Sequence, residues 1–415
     1  MARVLLILPS ATYRAREFTR AAADLGAELV VASDRRQAMS AVLGDRALVL
    51  PLQRPEEAAQ RVVDHAARLP LDAVVAVDDQ GVKTAALAAQ RLGLKTSDPS
   101  AVARTRDKLA MREALAAAGV PQPRYVADVE RAGELGFPVV LKPLGLSASR
   151  GVIRADDAGQ AASAAERIRA IVDDAAAPLL VESFVPGDEV AVEGLLRGGE
   201  LETLAIFDKP DPLDGPYFEE TIYVTPSRKP PAALEAIEST AAVAARALGL
   251  SEGPVHAELR VDGDRVTLLE LAARSIGGLC SRALRFGAGV SLEEVILRHA
   301  LDLPLDDLRR SDAASGVMML PIPRRGVLHE VRGQDAARAV PGVAGLEISI
   351  ARGRPVEPLP EGDRYLGFVF ARGDTPEDVE HALRAAHAEL EVEVREECGT
   401  RSSADAPRSA RKAPA

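Results

Sequence analysis

Residues 255–278 read VHAELRVDGDRVTLLELAARSIGG. Two apolar stretches flank Asp262-Gly263-Asp264, a turn signal, so the segment predicts a β-hairpin. Glu258 falls in the first strand and Glu270 in the second. A three-residue loop would pair Val261 with Arg265 and set Glu258 opposite Leu268. Glu270 is then its diagonal neighbour on the same face, roughly 7–8 Å away between Cα atoms. A two-residue loop would send the two acids to opposite faces. Carboxylates at that separation reach one divalent cation, and Mg²⁺ suits one or two carboxylates plus substrate phosphates. A plain exposed hairpin is the competing reading. Glu270 argues against it, because it lies inside Leu268-Leu269-Glu270-Leu271-Ala272, where a lone acid is costly. Arg274 is then placed to stabilise charge on a transferring phosphoryl group or acyl intermediate. Gly277-Gly278 would let a substrate carboxylate approach backbone N–H groups. His256 directly opposes Glu270 in this register and reads as a packing or hydrogen-bonding histidine.

Two segments upstream extend the pattern. In residues 137–155, FPVVLKPLGLSASRGVIRA, an apolar strand ends at Lys142. Gly145, Ser147, Ser149 and Gly151 follow before the next strand. Small residues let backbone approach a ligand, and successive N–H groups can cradle phosphate oxygens beside the lysine charge. The same residues also suit an ordinary hairpin with an exposed lysine. In residues 179–194, LLVESFVPGDEVAVEG, a strand runs through Glu182 and Ser183 into Phe184-Val185, and a second strand carries Glu189. This connector would set an adenine against Phe184-Val185 and Glu189 on a ribose hydroxyl. Taken alone, the segment favours a hairpin with solvated acids.

The first hundred residues alternate strand and helix. Strands are expected at Arg3–Leu8, Glu28–Ala32, Ala47–Pro51 and Ala73–Val77. Helices are expected at Ala15–Leu25, Glu56–Arg68 and Thr84–Leu92. Continuous apolar strands between helices indicate a Rossmann-like parallel sheet covered on both faces. Ligands then sit beyond the strand ends, here at Ser10-Ala11-Thr12-Tyr13 and Asp78-Asp79-Gln80. No G-x-G-x-x-G follows the first strand, so a dinucleotide in the usual manner is not expected. A helix over Arg104–Ala118 comes next. The expected units are 1–103, 104–181, 182–310, an α+β segment 311–397, and a disordered tail 398–415 rich in Ser, Ala, Arg and Pro. In the segment 311–397, strands are expected at Gly316–Leu320, Gly345–Ile350 and Tyr365–Ala371, and a helix at Pro376–Glu389.

Composition limits the function classes. The net charge of -11 excludes a broad nucleic-acid or anionic-membrane surface. The two cysteines, Cys280 and Cys398, are far apart and fit a reducing cytoplasm rather than a disulfide framework. Cys280 reads as a lone buried thiol. The six histidines do not cluster, so no zinc site is expected. MARVLLILPS reads as a buried first strand rather than a signal peptide, and no run approaches a membrane span. A cytoplasmic protein is expected.

The ordered set Lys108, Lys142 before a small-residue loop, Glu182 in VESFVPGDE, then Glu258 and Glu270 resembles the ATP-grasp superfamily over roughly residues 1–390. The resemblance implies an ATP-grasp fold with an N-terminal pre-ATP-grasp domain. It implies that Lys108 reaches the nucleotide and Lys142 contacts the α- and β-phosphates. Glu182 to Val185 resembles the adenine connector, Glu189 the ribose acid, Glu258 and Glu270 the ligands of Mg²⁺ (or Mn²⁺), and Arg274 the arginine on the acyl-phosphate side. Many members carry Asn two residues after the second Glu; here that position is Ala272. ELAARSIGG, IFDKPDPLDGPYFEETIYVTPS and GFVFARGDTPEDVEHAL resemble the L-amino acid ligase branch.

That resemblance implies ATP-dependent joining of a small-molecule carboxylate to an amine, both amino acids by analogy with that branch, through an acyl-phosphate and with release of ADP and phosphate. The lid bearing the Gly/Ser loop would close to exclude water. A homodimer is implied by family habit alone. Tyr13, Asp79, Tyr217, Phe218 and Glu219 are candidates for the pocket lining. Two competing readings are biotin-carboxylase-like carboxylation and nucleotide binding without ligation. A companion biotinyl domain with its Met-Lys signature is not seen, and retention of both lysines, both acids and the arginine speaks against simple binding.

Overall fold

A computed structural model describes residues 1–10, 12–36 and 43–396. Ala11, Cys398 and the expected tail 398–415 lie outside the described residues. The described residues form four sheets.

The N-terminal sheet is parallel, in the order Ala47–Val49, Glu28–Ser33, Arg3–Ile7, Ala73–Ala76. Successive side chains of its central strand point to opposite faces. Val4 and Leu6 pack in the cluster of Phe18, on the helix Ala15–Asp24. Leu5 and Ile7 pack in that of Ala58, Val62 and Ala88, on the helices Pro55–Ala66 and Val82–Leu92. Burial on both faces explains the uninterrupted apolar run.

The expected helix over Arg104–Ala118 is two helices, Pro99–Arg104 and Lys108–Ala117. The break has a local cause. The Asp107 side chain accepts from the N–H groups of Leu109 and Ala110, capping a new helix and fixing Lys108 in its first turn. A small antiparallel sheet follows, in the order Tyr125–Val126, Leu179–Ser183, Val139–Pro143, Ile153–Ala155. The helix Ala158–Val172 covers it through Ala161, Ala165 and Ile168. The expected boundary at residue 181 therefore cuts a strand that is hydrogen-bonded on both edges.

The main sheet has eight antiparallel strands, in the order Arg265–Ala272, Gly253–Asp262, Asp188–Arg197, Glu200–Lys209, Ile222–Thr225, Ala314–Leu320, Gly367–Gly373, Val343–Ile348. Ile222–Thr225 pairs directly with Ala314–Leu320, so the division expected at 310/311 does not interrupt the sheet. The helix Pro376–Ala388 packs on this C-terminal part through Val379, Ala382 and Leu383. Its start carries a capping box between Thr375 and Asp378. A three-stranded sheet, Pro355–Val356, Gly326–Arg332 and Glu391–Arg395, completes the described chain.

The deciding hairpin departs from the expected register. Asp262 pairs with Arg265 and Val261 with Val266, so the turn has two residues, Gly263-Asp264. Such a turn alone would separate the acids onto opposite faces. A bulge restores them: Leu259 pairs with Leu268 but Glu258 pairs with Glu270, leaving Leu269 as the extra residue. The bulge is held from outside, because the Leu269 carbonyl accepts from Arg112 and the Leu268 N–H donates to Pro121 O. Glu258 thus faces Glu270 directly rather than diagonally, and His256 faces Ala272 rather than Glu270.

Candidate active site

A cavity of about 300 Å³ opens where the small sheet, the main sheet and the N-terminal domain meet. Of the residues singled out above, Lys108, Lys142, Ser147, Ser149, Glu182, Ser183, Phe184, Val185, Glu189, Glu258, Glu270, Arg274, Gly277 and Gly278 line it, whereas Gly145 and Gly151 of the small-residue loop are not among the lining residues. Among the further candidates, Tyr13, Asp79 and Phe218 line it as well. Tyr217 and Glu219 are not among the lining residues, and Glu220 is. Tyr217 instead supports the lid, its hydroxyl accepting from Arg167.

The cationic wall comes from several elements. Lys142 closes the strand Val139–Pro143, and its Nζ lies 2.8 Å from Glu182 Oε2. Glu182 is also bonded to Arg112 Nε at 2.6 Å and is buried. Burial alone would raise this carboxyl, but Arg112 and Lys142 hold it down at about 2. The Glu182 side chain therefore anchors the lysine, and the connector turns backbone and Phe184-Val185 towards the cavity. The Arg154 guanidinium lies 4.5 Å from the centre of the Phe184 ring. Lys108 Nζ donates to Leu146 O at 2.7 Å and lies 3.3 Å from Glu270 Oε1, linking lid loop and hairpin. In that loop Ala148 and Ser149 hold positive φ, 57° and 54°, an uncommon backbone state associated with ligand-facing loops.

Arg274 Nη2 meets Asp79 Oδ2 at 2.9 Å, and Arg106 meets the other oxygen at 3.0 Å. Burial opposes ionisation of Asp79, yet these arginines hold it well below the usual carboxylate range. Asp79 reaches this place because Gly81 lets the loop fold tightly; a Cβ there would lie 2.8 Å from Ile7. Buried Arg14 grips the next residues, donating to Ser275 Oγ at 2.7 Å and Ile276 O at 3.0 Å, and pairs with Glu293 at 2.8 Å.

The acidic wall is richer than the sequence reading. Oxygens of Glu189, Glu220 and Glu258 all lie within 4.8 Å of one another. Lys209 sits among them, 2.6 Å from Glu189, 3.4 Å from Glu258 and hydrogen-bonded to Glu220. Burial disfavours the charged lysine, but Glu189, Glu220 and Glu258 hold its pKa well above the ordinary value. Glu258 is likewise penalised by burial, and Lys209 with His256 keeps it well below the carboxylate range. Glu220 moves the other way, raised by burial and by the neighbouring Glu258 charge against Lys209. Glu189, expected on a ribose hydroxyl, already accepts from Lys209 and, at 3.0 Å, from Arg260.

Hard oxygen donors facing one another across a hairpin suit Mg²⁺ or Mn²⁺. Here Lys209 already balances the acid cluster and Lys108 balances Glu270, which marks a site built to receive positive charge. Among the described residues the acid oxygens within reach of one cation are those of Glu189, Glu220 and Glu258, and Glu270 faces Glu258 across the hairpin beside this set.

Lys209, Glu220, Arg112 and Arg260 were missed from sequence. Lys209 had a usable signal, since it ends the apolar strand LAIFDK as Lys142 ends VVLK. Arg112 carried none, because its partners Glu182 and Leu269 are distant in the chain. Cys280 is buried beside Met319, and burial first, then Glu220, pushes its thiol far above the ordinary value, as suits a packing residue.

An antiparallel main sheet, a small covering sheet and a cavity of lysines facing carboxylates define an ATP-grasp architecture. Family models agree. Residues 135–283 match the ATP-grasp domain, residues 19–96 the ATP-grasp N-terminal domain, and residues 318–395 the L-amino acid ligase C-terminal domain 2. The chain carries an ATP-grasp domain together with an ATP-grasp N-terminal domain and resembles the L-amino acid ligase branch of that superfamily. It is similar to the L-amino acid ligase from Bacillus licheniformis, with a TM-score of 0.79 at 24% identity over 95% of this chain and 99% of that one. It is 29% identical over 271 residues to the alanine–anticapsin ligase of Bacillus subtilis (strain 168), covering 58% of this chain and 56% of that protein. A D-alanine–D-alanine ligase from Aromatoleum aromaticum is 33% identical over 174 residues, covering 40% of this chain and 55% of that protein. The chain thus spans little more than half the length of the curated relatives it matches. No helix among the described residues is long and apolar enough to cross a membrane.

Proposed function

We propose that the protein is an ATP- and Mg²⁺-dependent carboxylate–amine ligase of the L-amino acid ligase type, acting on amino acids and releasing ADP and phosphate. The observation that carries this is the convergence on one cavity of Lys108, Lys142 and Arg274 from separate elements and the facing pair Glu258/Glu270 from one hairpin.

Phe184 and Val185 with the connector backbone hold the adenine, and Glu189 adjoins the ribose. Lys142 and Lys108 bind phosphate oxygens. Lys108 exchanges its contact with Glu270 for phosphate, freeing that carboxylate. Glu258 and Glu270 would hold Mg²⁺, which when bound supplies charge neutralisation at the phosphates. Backbone N–H groups at Gly277-Gly278 receive the substrate carboxylate. A carboxylate oxygen bonds to the γ-phosphorus and ADP leaves; the amine nitrogen then bonds to the acyl carbon and phosphate leaves. Arg274, aimed by Asp79, stabilises the acyl-phosphate oxygens. The loop Leu146–Ser149 screens this intermediate from water.

The test is release of ADP and phosphate with Mg·ATP across pairs of amino acids, for the native chain and Glu270→Ala. Release that depends on the pair and vanishes in the variant supports the proposal. Turnover with bicarbonate but with no amino acid would retain ATP-dependent carboxylate activation and overturn amide ligation. Binding of ATP without turnover on any acid would overturn both.

A further inference from the structure

Glu193 is fully buried on the strand Asp188–Arg197, behind the cavity. Its Oε2 accepts from the backbone N–H of Ile276 at 2.9 Å and lies 3.2 Å from His256 Nδ1. Its Oε1 has no hydrogen-bond partner among the described residues. A carboxylate oxygen can only accept here, so Nδ1 carries the proton between them. The imidazole then turns Nε2 towards Glu258 Oε1, 3.7 Å away. Sheet register holds this arrangement: His256 is paired with Glu193 on one side and with Ala272 on the other. The Ala272 methyl leaves the imidazole room on the face that also carries Glu258 and Glu270. Ile276 in turn begins the stretch Ile276–Gly278 that lines the cavity. One buried carboxylate therefore orients an imidazole that faces an acid of the cation site and, through an amide, holds the loop that receives the substrate carboxylate.

We infer that Glu193 and His256 are positioning residues that couple cation binding at Glu258 to the order of the substrate loop Ser275–Gly278. The inference rests on the cation assignment made in the proposed function. Coupling of this kind is reciprocal: a cation that fixes Glu258 steadies the loop, and an ordered loop tightens the cation. A role in packing alone would leave cation binding and loop order independent.

The experiment uses the full chain with Mn²⁺ and ADP and needs no turnover. Mn²⁺ affinity is read by electron paramagnetic resonance, and order of the peptide spanning Ser275–Gly278 by hydrogen exchange with and without saturating Mn²⁺·ADP. Native protein is expected to gain protection in that peptide. Glu193→Gln and His256→Asn are expected to bind Mn²⁺ roughly 10-fold more weakly. At saturation they should no longer transmit protection to the loop. Protection equal to native in both variants at saturation would overturn the coupling while leaving the ligase proposal intact. Failure of native protein to bind Mn²⁺·ADP would instead sink the cation assignment, and the coupling with it. Should His256→Asn not fold, Glu193→Gln, which keeps shape and one acceptor, decides the matter.

Discussion

Asp79 and Arg274 meet at 2.9 Å across the boundary between the N-terminal parallel sheet and the main antiparallel sheet. The N-terminal domain thus aims a guanidinium into a cavity whose lysines and acids belong to other elements. Asp79→Asn keeps the shape and removes the charge that orients Arg274 and Arg106. We expect kcat to fall by about 100-fold, as misplacement of a reacting group by an ångström commonly costs. Mg·ATP affinity should change little. Steady-state kinetics with nucleotide binding measured separately checks this; equal losses in both would assign Asp79 to nucleotide binding.

Lys209 is an internal counter-ion for Glu189, Glu220 and Glu258. Lys209→Met leaves these buried acids without it and should cost about 3–5 kcal/mol of stability. Added Mn²⁺ should then raise the melting temperature of the variant more than that of native protein, because a ligand that binds only the folded state stabilises it. Thermal melts with and without Mn²⁺ decide; an equal response in both proteins would refute cation exchange at the cluster.

Glu182 supplies a pH signature. Its carboxyl is held at about 2 in the fold, against an ordinary 4.5. A depressed acid contributes stability that is complete above the ordinary value and is lost as pH falls through 4.5 towards about 2. Glu182→Gln should therefore melt well below native at pH 7, and the gap should narrow steadily below pH ~4.5. A gap that stays constant down to pH ~3 would show that the charge on Glu182 is not what stabilises the fold.

Cys280 should be chemically silent. In a Cys398→Ser background, a thiol reagent is expected to label nothing until denaturant is added. Rapid labelling of the native variant would mean the cavity admits reagents to Cys280 and that it is not a packing thiol.

The residues of the site were legible because strand ends announce themselves locally. An apolar run closing on a charge marked Lys142 and Glu182, an acid inside an apolar run marked Glu270, and a cluster of small residues marked the loop with Ser147 and Ser149. What escaped depends on distance. The Leu269 bulge is imposed partly by Arg112, far away in sequence, so the hairpin alone could not reveal that a two-residue turn still brings Glu258 and Glu270 together. Glu189 reads as a free acid along the chain and is a shared partner in space, because Lys209 and Arg260 arrive from other strands. The sheet that runs across 310/311 escaped for the same reason: nothing near residue 311 signals that Ala314–Leu320 will pair with Ile222–Thr225.

That pairing has a corollary. Five consecutive strands of the sheet come from before residue 310 and three from after it, joined only by the backbone pairing of Ile222–Thr225 with Ala314–Leu320, so removing the C-terminal segment would bare a strand edge in the middle of the sheet. Any other C-terminal segment would have to supply a strand in the register Ile222↔Met318 through Thr225↔Ser315 to cover that edge.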